Sequence, residues 1–361
     1  MFSLFLLSDL SFNKLIFMKF SQVSLHTFGY VLPPLVLTSA EIEERLAPVY
    51  ERLRLPAGRL ELMSGIRERR LWEPGTRPSR AAAQAGLDVL RRGDIDPGAV
   101  ECLIFTSVSR DMMEPATAAF VHDTLGLSPD CLIFDLSNAC LGFLDGMILL
   151  ATLIEQGQVK NGLLVAGETA EELLESTMTG LLNDLSLSRK SIKPAFASLT
   201  IGSGCVGLYL CHSQQGDGRP RLVQRAWQAN TRYSRLCQGG QQGQSITLMN
   251  TDSEELLQRG VETAQATWQQ FSAAPGWSGD EIDCFCCHQV GTAHARLLFS
   301  TLGLDPARNF ETLAFLGNVG SVSAPITLAM AMEQQAFVAG QKAALLGIGS
   351  GINSLMLGIE W

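Results

Sequence analysis

The amino-acid sequence predicts an α/β fold made of two related units, and two observations carry that prediction. Short apolar runs of strand length alternate with helix-length segments along all 361 residues, the pattern of buried sheets covered by helices. Two stretches also rhyme. The turn Ile95-Asp-Pro-Gly-Ala-Val-Glu leads into the run Cys102-Leu-Ile-Phe-Thr-Ser, which is answered further along by Leu163-Leu-Val-Ala-Gly-Glu. Likewise Trp277-Ser-Gly-Asp-Glu-Ile-Asp leads into Cys284-Phe-Cys-Cys-His-Gln, answered by Ala344-Leu-Leu-Gly-Ile-Gly-Ser. The interval from Cys102 to Leu163 matches that from Cys284 to Ala344 to within one position. Like elements at nearly equal spacing mark a duplicated unit.

Residues 1–17 are apolar but lack the basic start and small-residue cleavage site of a signal peptide, so they read as a non-native or disordered extension ahead of Met18. Residues 18–215 form the expected N-terminal half. In it, Cys131-Leu-Ile-Phe-Asp-Leu-Ser-Asn-Ala reads as strand and turn, and Leu141-Gly-Phe-Leu-Asp-Gly-Met-Ile-Leu-Leu as an apolar helix. That helix is interrupted by Asp145 and is too short to span a bilayer, so no integral membrane segment is expected. The polar, Gly- and Gln-rich stretch from Ser213 to Gln244 contains the join, and residues 216–361 form the C-terminal half.

With 46% hydrophobic and 17% charged residues, the chain can bury a large core. A net charge of −9, with no long run of Lys or Arg, excludes a general nucleic-acid or anionic-membrane binder. The nine cysteines are irregularly spaced, mostly inside apolar runs, unlike a secreted disulfide framework. A reducing, cytoplasmic location is the expectation.

The candidate chemistry begins with Cys140. A thiol where a strand turns into a helix faces the backbone N–H groups at the helix start, which favour thiolate over thiol. Most cysteines in apolar surroundings are simply small buried hydrophobes. Cys140 is singled out by two residues in the other half. His288 closes the strand Cys284-Phe-Cys-Cys-His, and Asn318 follows, after a helix and a short strand, in Leu316-Gly-Asn-Val-Gly. Cys140 stands after Cys102 at a distance close to that of Asn318 after Cys284, so both belong at corresponding ends of parallel strands, where open sheets place their sites. A His and an Asn together can donate two hydrogen bonds to a thioester oxygen, as stabilising an enolate requires. Gly347-Ile-Gly-Ser-Gly puts small residues where backbone must approach a reacting group. A rival reading, a metal or redox site at Cys284-Phe-Cys-Cys-His, lacks the second ligand pair that a structural zinc site draws from turns. Gly347-x-Gly-x-Gly lacks the spacing and downstream acid of a dinucleotide fingerprint.

These motifs, with Ser64-Gly-Ile-Arg-Glu-Arg-Arg-Leu-Trp, Thr106-Ser-Val-Ser-Arg-Asp-Met-Met-Glu-Pro-Ala-Thr-Ala, Phe134-Asp-Leu-Ser-Asn-Ala-Cys-Leu-Gly-Phe, His288-Gln-Val, Gly317-Asn-Val-Gly and Leu346-Gly-Ile-Gly-Ser-Gly-Ile-Asn, resemble the thiolase superfamily in its ketoacyl-ACP synthase III branch. Within that branch the sequence is most similar to the olefin-biosynthesis thiolases, which join two fatty acyl-CoA chains head to head. The resemblance runs from Met18 to Trp361. It implies a thiolase fold of five layers, αβαβα, a homodimer, and Cys140, His288 and Asn318 as catalytic residues. It also implies an oxyanion hole from the backbone of Cys140 and Ser350, and no cofactor beyond coenzyme A thioesters as substrates. Glu114 is implied as a base reaching the partner subunit's site; its own surroundings read as an exposed loop, although Met112-Met113 offer an apolar setting that would raise a carboxylate pKa.

Departures from the family are informative. The adenine-clamping Trp and Arg of the synthase III pattern fall on Arg59 and Met63, and its carrier-protein-docking Arg falls on Ala293. The expected reaction is therefore a non-decarboxylative Claisen condensation of two fatty acyl-CoA molecules through an acyl-cysteine, giving a 2-alkyl-3-ketoacyl product. The alternatives are a decarboxylative 3-oxoacyl-ACP synthase III, a non-catalytic partner subunit and an acyl-thioester hydrolase. Glu114 discriminates between the first two readings, because an unactivated acyl-CoA needs a base whereas a malonyl donor loses carbon dioxide instead. The polar segment Glu171 to Ser198 is expected to cap the acyl tunnel.

Overall fold

The computed structural model of the chain describes residues 20–213, 218–242 and 246–361; the extension expected at 1–17 lies outside them. The first half begins with β1 (Val23–Val31). The short pair β2 (Leu35–Thr38) and β3 (Glu68–Leu71) then brackets α1 (Ser39–Arg45), α2 (Ala47–Leu53) and α3 (Arg59–Ser64). There follow α4 (Pro78–Gly93), β4 (Cys102–Phe105), α5 (Thr117–Leu125), β5 (Leu132–Asp135), α6 (Gly142–Glu155), β6 (Asn161–Glu168), α7 (Glu171–Asn183), α8 (Lys193–Phe196) and β7 (Gly204–His212). The second half contains β8 (Arg221–Ala229), the hairpin β9 (Cys237–Gln242) and β10 (Ile246–Thr251), then α9 (Ser253–Ser272) and β11 (Cys284–Cys287). It ends with α10 (Thr292–Leu302), α11 (Leu313–Leu316), α12 (Ser323–Gln334), β12 (Lys342–Gly349) and β13 (Asn353–Glu360).

Among the described residues, nine strands hydrogen-bond in the order β11-β12-β13-β8-β1-β7-β6-β4-β5. The two halves meet in this sheet at a single register pair, Ser24 with Arg221. Each half repeats one pattern outward from that seam. Strands β1, β7 and β6 pair antiparallel one after another, then β4 joins β6 in parallel; β8, β13 and β12 pair antiparallel, then β11 joins β12 in parallel. Leu103 pairs with Leu163 and Phe285 with Ala344, so the matching intervals in the sequence are the registers of equivalent parallel pairs. Only the outermost strand differs: β5 pairs with β4, whereas its counterpart is reduced to one parallel bridge between Phe285 and Asn309.

The layers follow from which faces are apolar. Helix α6 is apolar on nearly every side, and such a helix must be buried all round. Phe143, Leu144, Met147 and Leu150 pack with Ile326 and Leu328 of α12 against Leu164 and Leu208 of one half and Leu345 and Leu357 of the other. Outside this central helical layer, α4 and α5 cover the first half of the sheet with Val89, Leu90 and Val121, and α9 and α10 cover the second with Trp268, Phe271 and Phe299. Five layers result, as the sequence leads one to expect. The segment Glu171 to Ser198 forms α7 and α8, which close a separate apolar core over α1–α3 from Leu174, Met178 and Phe196 with Ile42, Leu46 and Val49.

Helix α4 lies unusually close to its sheet. It starts on Pro78, which fits the first helical turn, and ends at Asp94 in the left-handed region. Its backbone rests on glycines of three neighbouring strands: a Cβ at Gly29 would stand 2.5 Å from Val89 N, one at Gly207 3.2 Å from Ala85 O, and one at Gly167 2.5 Å from Ala82 N. Backbone cannot yield as a side-chain tip does. Gly29→Ala should therefore lower stability by about 1–3 kcal/mol, read as an earlier urea midpoint at unchanged slope.

Candidate active site

The turn that carries Cys140 is shaped by its neighbours. After β5 the chain reverses through Ala139, held at φ 47°, with Leu141 N–H bonded to Asn138 O at 3.0 Å. Gly142 then opens α6 against β4, where any Cβ would lie 2.4 Å from Thr106 O. Leu141 lies on β12: its side chain occupies the space that Cβ atoms at Gly347 and Gly349 would fill, at 2.5 and 2.9 Å. The small residues noted at this strand end thus let the cysteine turn of one half seat on the last parallel strand of the other.

That seating brings Cys140 to Ser350. The backbone N–H groups of Ser350 and of Cys140 itself act on the sulfur of Cys140, favouring its charged form. These are the two groups expected to form the oxyanion hole. Asn138 steadies the arrangement: its Nδ2 donates to Asp145 Oδ2 of α6 at 2.7 Å, and its Oδ1 accepts from Asn353 Nδ2 at 3.3 Å, just beyond Ser350 in the chain.

The expectation of a thiolate is overturned. Burial, with Cys237 and Glu168 adding, pushes the Cys140 thiol up to about 12, and the two N–H groups offset only part of this. Desolvation of the anion outweighs the helix start. His288 continues β11 with its N–H bonded to Leu346 O at 2.8 Å; the residue is 3% exposed, and among the described residues its Nδ1 has no partner. Burial and the nearby His294 pull it down to about 3, so it is a neutral imidazole. The resting pair is thus thiol and imidazole, not thiolate and imidazolium.

Asn318 sits in the turn after α11. Its N–H bonds to Thr200 O at 3.0 Å and its carbonyl accepts from Gly202 N at 2.9 Å. Gly320 N donates to Asn318 Oδ1 at 3.1 Å, which identifies the oxygen and leaves Nδ2 as the end that can donate elsewhere. Gln289, beside His288, ties the two turns together: its Oε1 accepts from Thr312 N and Leu313 N at 2.9 and 2.6 Å, at the start of the helix leading to Asn318.

Glu114 is not brought to this site within one chain. It is exposed, and Met113 beside it is 87% exposed, so the apolar setting expected from Met112-Met113 faces outward. Cys284 and Cys286 do share a strand face, with sulfurs 3.9 Å apart, but both belong to the central core, and among the described residues no group of three His, Cys, Asp or Glu is arranged to hold a metal. Sequence reasoning missed Glu168, Cys237 and His294. The signal for Glu168 was available, an acid closing the otherwise apolar run from Leu163. Cys237, on β9, offered none, since only the fold brings it to Ser350, whose Oγ donates to its sulfur at 3.2 Å.

Comparison with known proteins follows this geometry. Residues 134–182 match the 3-oxoacyl-[acyl-carrier-protein (ACP)] synthase III family and residues 272–361 its C-terminal family. An acyl-CoA:acyl-CoA alkyltransferase of Shewanella oneidensis is 38% identical over 351 residues, covering 95% of this chain and 100% of the relative. One from Xanthomonas campestris is 36% identical over 344 residues, with the same coverages. The crystal structure of Xanthomonas campestris OleA with cerulenin bound superposes with a TM-score of 0.90 at 35% identity, over 95% of this chain and 98% of that one. OleA from that organism has also been solved with one cysteine, one histidine and one glutamate substituted.

Because the resting thiol titrates far above neutrality, its thiolate fraction climbs tenfold per pH unit throughout the accessible alkaline range. Alkylation of Cys140 by iodoacetamide, followed by peptide mass spectrometry, should keep rising from pH 7 to pH 10; a plateau near pH 8 would contradict the assignment.

Proposed function

The chain belongs to the acyl-CoA:acyl-CoA alkyltransferase family of the thiolase superfamily, and from that membership and its site we propose that it condenses two fatty acyl-CoA molecules head to head without decarboxylation. In the first half-reaction the neutral His288 takes the thiol proton as Cys140 attacks the thioester carbonyl. The oxyanion is held by the N–H groups of Cys140 and Ser350; its collapse expels coenzyme A, which leaves with the proton from His288, and an acyl-cysteine remains. In the second, Glu114 of the partner subunit removes an α-proton from another acyl-CoA. His288 and Asn318 Nδ2 donate to the enolate oxygen, the enolate carbon attacks the acyl-cysteine carbonyl, and Cys140 departs as thiolate; the α-proton passes from Glu114 through solvent back to the thiolate, which restores both groups. The product is a 2-alkyl-3-ketoacyl thioester, whose hydrolysis releases the second coenzyme A and the β-ketoacid.

The observation that carries this reading is the pair of backbone N–H groups, of Ser350 and of Cys140, that act on the Cys140 sulfur; an uncharged imidazole at His288 and an Asn318 amide whose oxygen is already bonded support it. A homodimer is supported by Met113, Met112 and Val108 standing exposed around Glu114, and by Leu132, 48% exposed on the edge strand β5. The glutamate and cysteine substituted in the OleA structures are separated by as many residues as Glu114 and Cys140. At the positions of the synthase III adenine clamp, Met63 is 48% exposed and Arg59 lies over the Phe196 ring, which supports a coenzyme A mouth built differently from that of a synthase III. Among the described residues no helix is long and apolar enough to cross a membrane; the nine free cysteines support a reducing, cytoplasmic setting.

Purified protein given a long-chain acyl-CoA alone should yield a β-ketoacid or its decarboxylated ketone by mass spectrometry. A strict requirement for a malonyl thioester would instead make it a decarboxylative synthase. Cys140→Ala and Glu114→Ala should each be inactive in condensation, yet their mixture, after subunit exchange, should regain product formation from hybrid dimers. Failure of the mixture to recover, with exchange verified by native mass spectrometry, would remove Glu114 from the partner subunit's site.

A further inference from the structure

Glu168 ends β6 with its carboxylate buried, 5% exposed, and among the described residues no Lys or Arg pairs with it. A buried carboxylate persists only where hydrogen-bond donors replace water. Here one oxygen, Oε1, accepts from Val108 N at 2.9 Å, from Ser321 N at 3.3 Å and from Ser321 Oγ at 2.7 Å; the other accepts from Ser109 N at 3.0 Å. These donors come from two separate segments. Val108 and Ser109 open the loop that leads to Glu114, and Ser321 follows the turn that carries Asn318.

The connection to Asn318 is short. Gly320, held at φ +55°, lies between Ser321 and the asparagine turn, and a Cβ there would meet Glu168 Oε1 at 3.1 Å. Gly320 N–H is the donor that fixes Asn318 Oδ1. Fixing Ser321 therefore fixes Gly320, and Gly320 decides which end of the Asn318 amide faces the substrate. Without that anchor the amide could turn its oxygen toward a developing enolate, replacing attraction by repulsion.

We propose that Glu168 is a positioning residue for the carbon–carbon bond-forming half-reaction, orienting Asn318 through Ser321 and Gly320 while tying that turn to the loop that bears Glu114. The proposal rests on the reading of Asn318 as an enolate-binding donor. The anchor does not touch the acylation donors, since none of its hydrogen bonds runs to Cys140 or Ser350. The charge of Glu168 also bears on Cys140 across the site, together with Cys237 from β9 and against the Ser350 N–H, which supplies a second and independent readout.

Glu168→Gln and Ser321→Ala should both release a first equivalent of coenzyme A from a long-chain acyl-CoA at close to the normal rate, while ketoacid formation falls roughly tenfold to a hundredfold, the range for a misplaced reacting group. Glu168→Gln should in addition move the pH profile of Cys140 alkylation to lower pH, and Ser321→Ala should not. If acylation and condensation fall together in both variants, or condensation is untouched, the proposal is overturned. Asn318→Ala is assayed alongside: normal condensation in that variant would sink the Asn318 reading itself, whereas its loss with normal condensation in the other two would sink only the role of Glu168. Should Glu168→Gln not fold, the partition between half-reactions in Ser321→Ala decides the question.

Discussion

The site depends on how closely Leu141 can lie on β12. Gly347 and Gly349 leave that space, and through it the cysteine turn of the first half meets the Ser350 turn of the second. Any larger residue at either glycine would lift the turn, separating the sulfur from one of its two N–H donors. The central helices α6 and α12 hold the same two halves together from within, where residues of both form one core. The geometry around Cys140 and core packing are thus a single constraint, because Cys140 stands at the start of a central helix that is buried nearly all round.

The charge state of the site follows from that burial. A thiol pushed to about 12 and an imidazole drawn down to about 3 carry no net charge between them at neutral pH. With so small a thiolate fraction at neutral pH, the resting thiol reacts only slowly with electrophiles. Such a resting state suits an enzyme whose acyl-cysteine must survive until a second large substrate arrives, since a permanently ionised site would draw water in.

Much of this was legible in the sequence, for identifiable reasons. The duplication could be read because equivalent parallel pairs, Leu103 with Leu163 and Phe285 with Ala344, keep nearly the same chain separation. Cys140 and His288 stood out as candidates because each follows a strand-like run, whereas Asn318, expected at a strand end as well, follows the short helix α11. What could not be read is whatever depends on the surroundings of a side chain. The helix start predicted a thiolate, yet the desolvation that reverses it exists only once α6 is buried. Glu168 looked like the end of a strand, and its donors come from a loop far before it and a turn in the other half of the chain. Met112 and Met113 gave the right composition around Glu114 but not the direction, which is outward.

The unequal ends of the sheet have a further consequence. Beyond β11 the sheet is finished by the bridge at Asn309 and the bond from Phe310 N to Phe285 O, while among the described residues β5 has β4 as its one neighbour. An unpaired strand edge is where a further strand can add, so of the two ends of this sheet the β5 end is the one left open to another chain, while the end beyond β11 is already occupied.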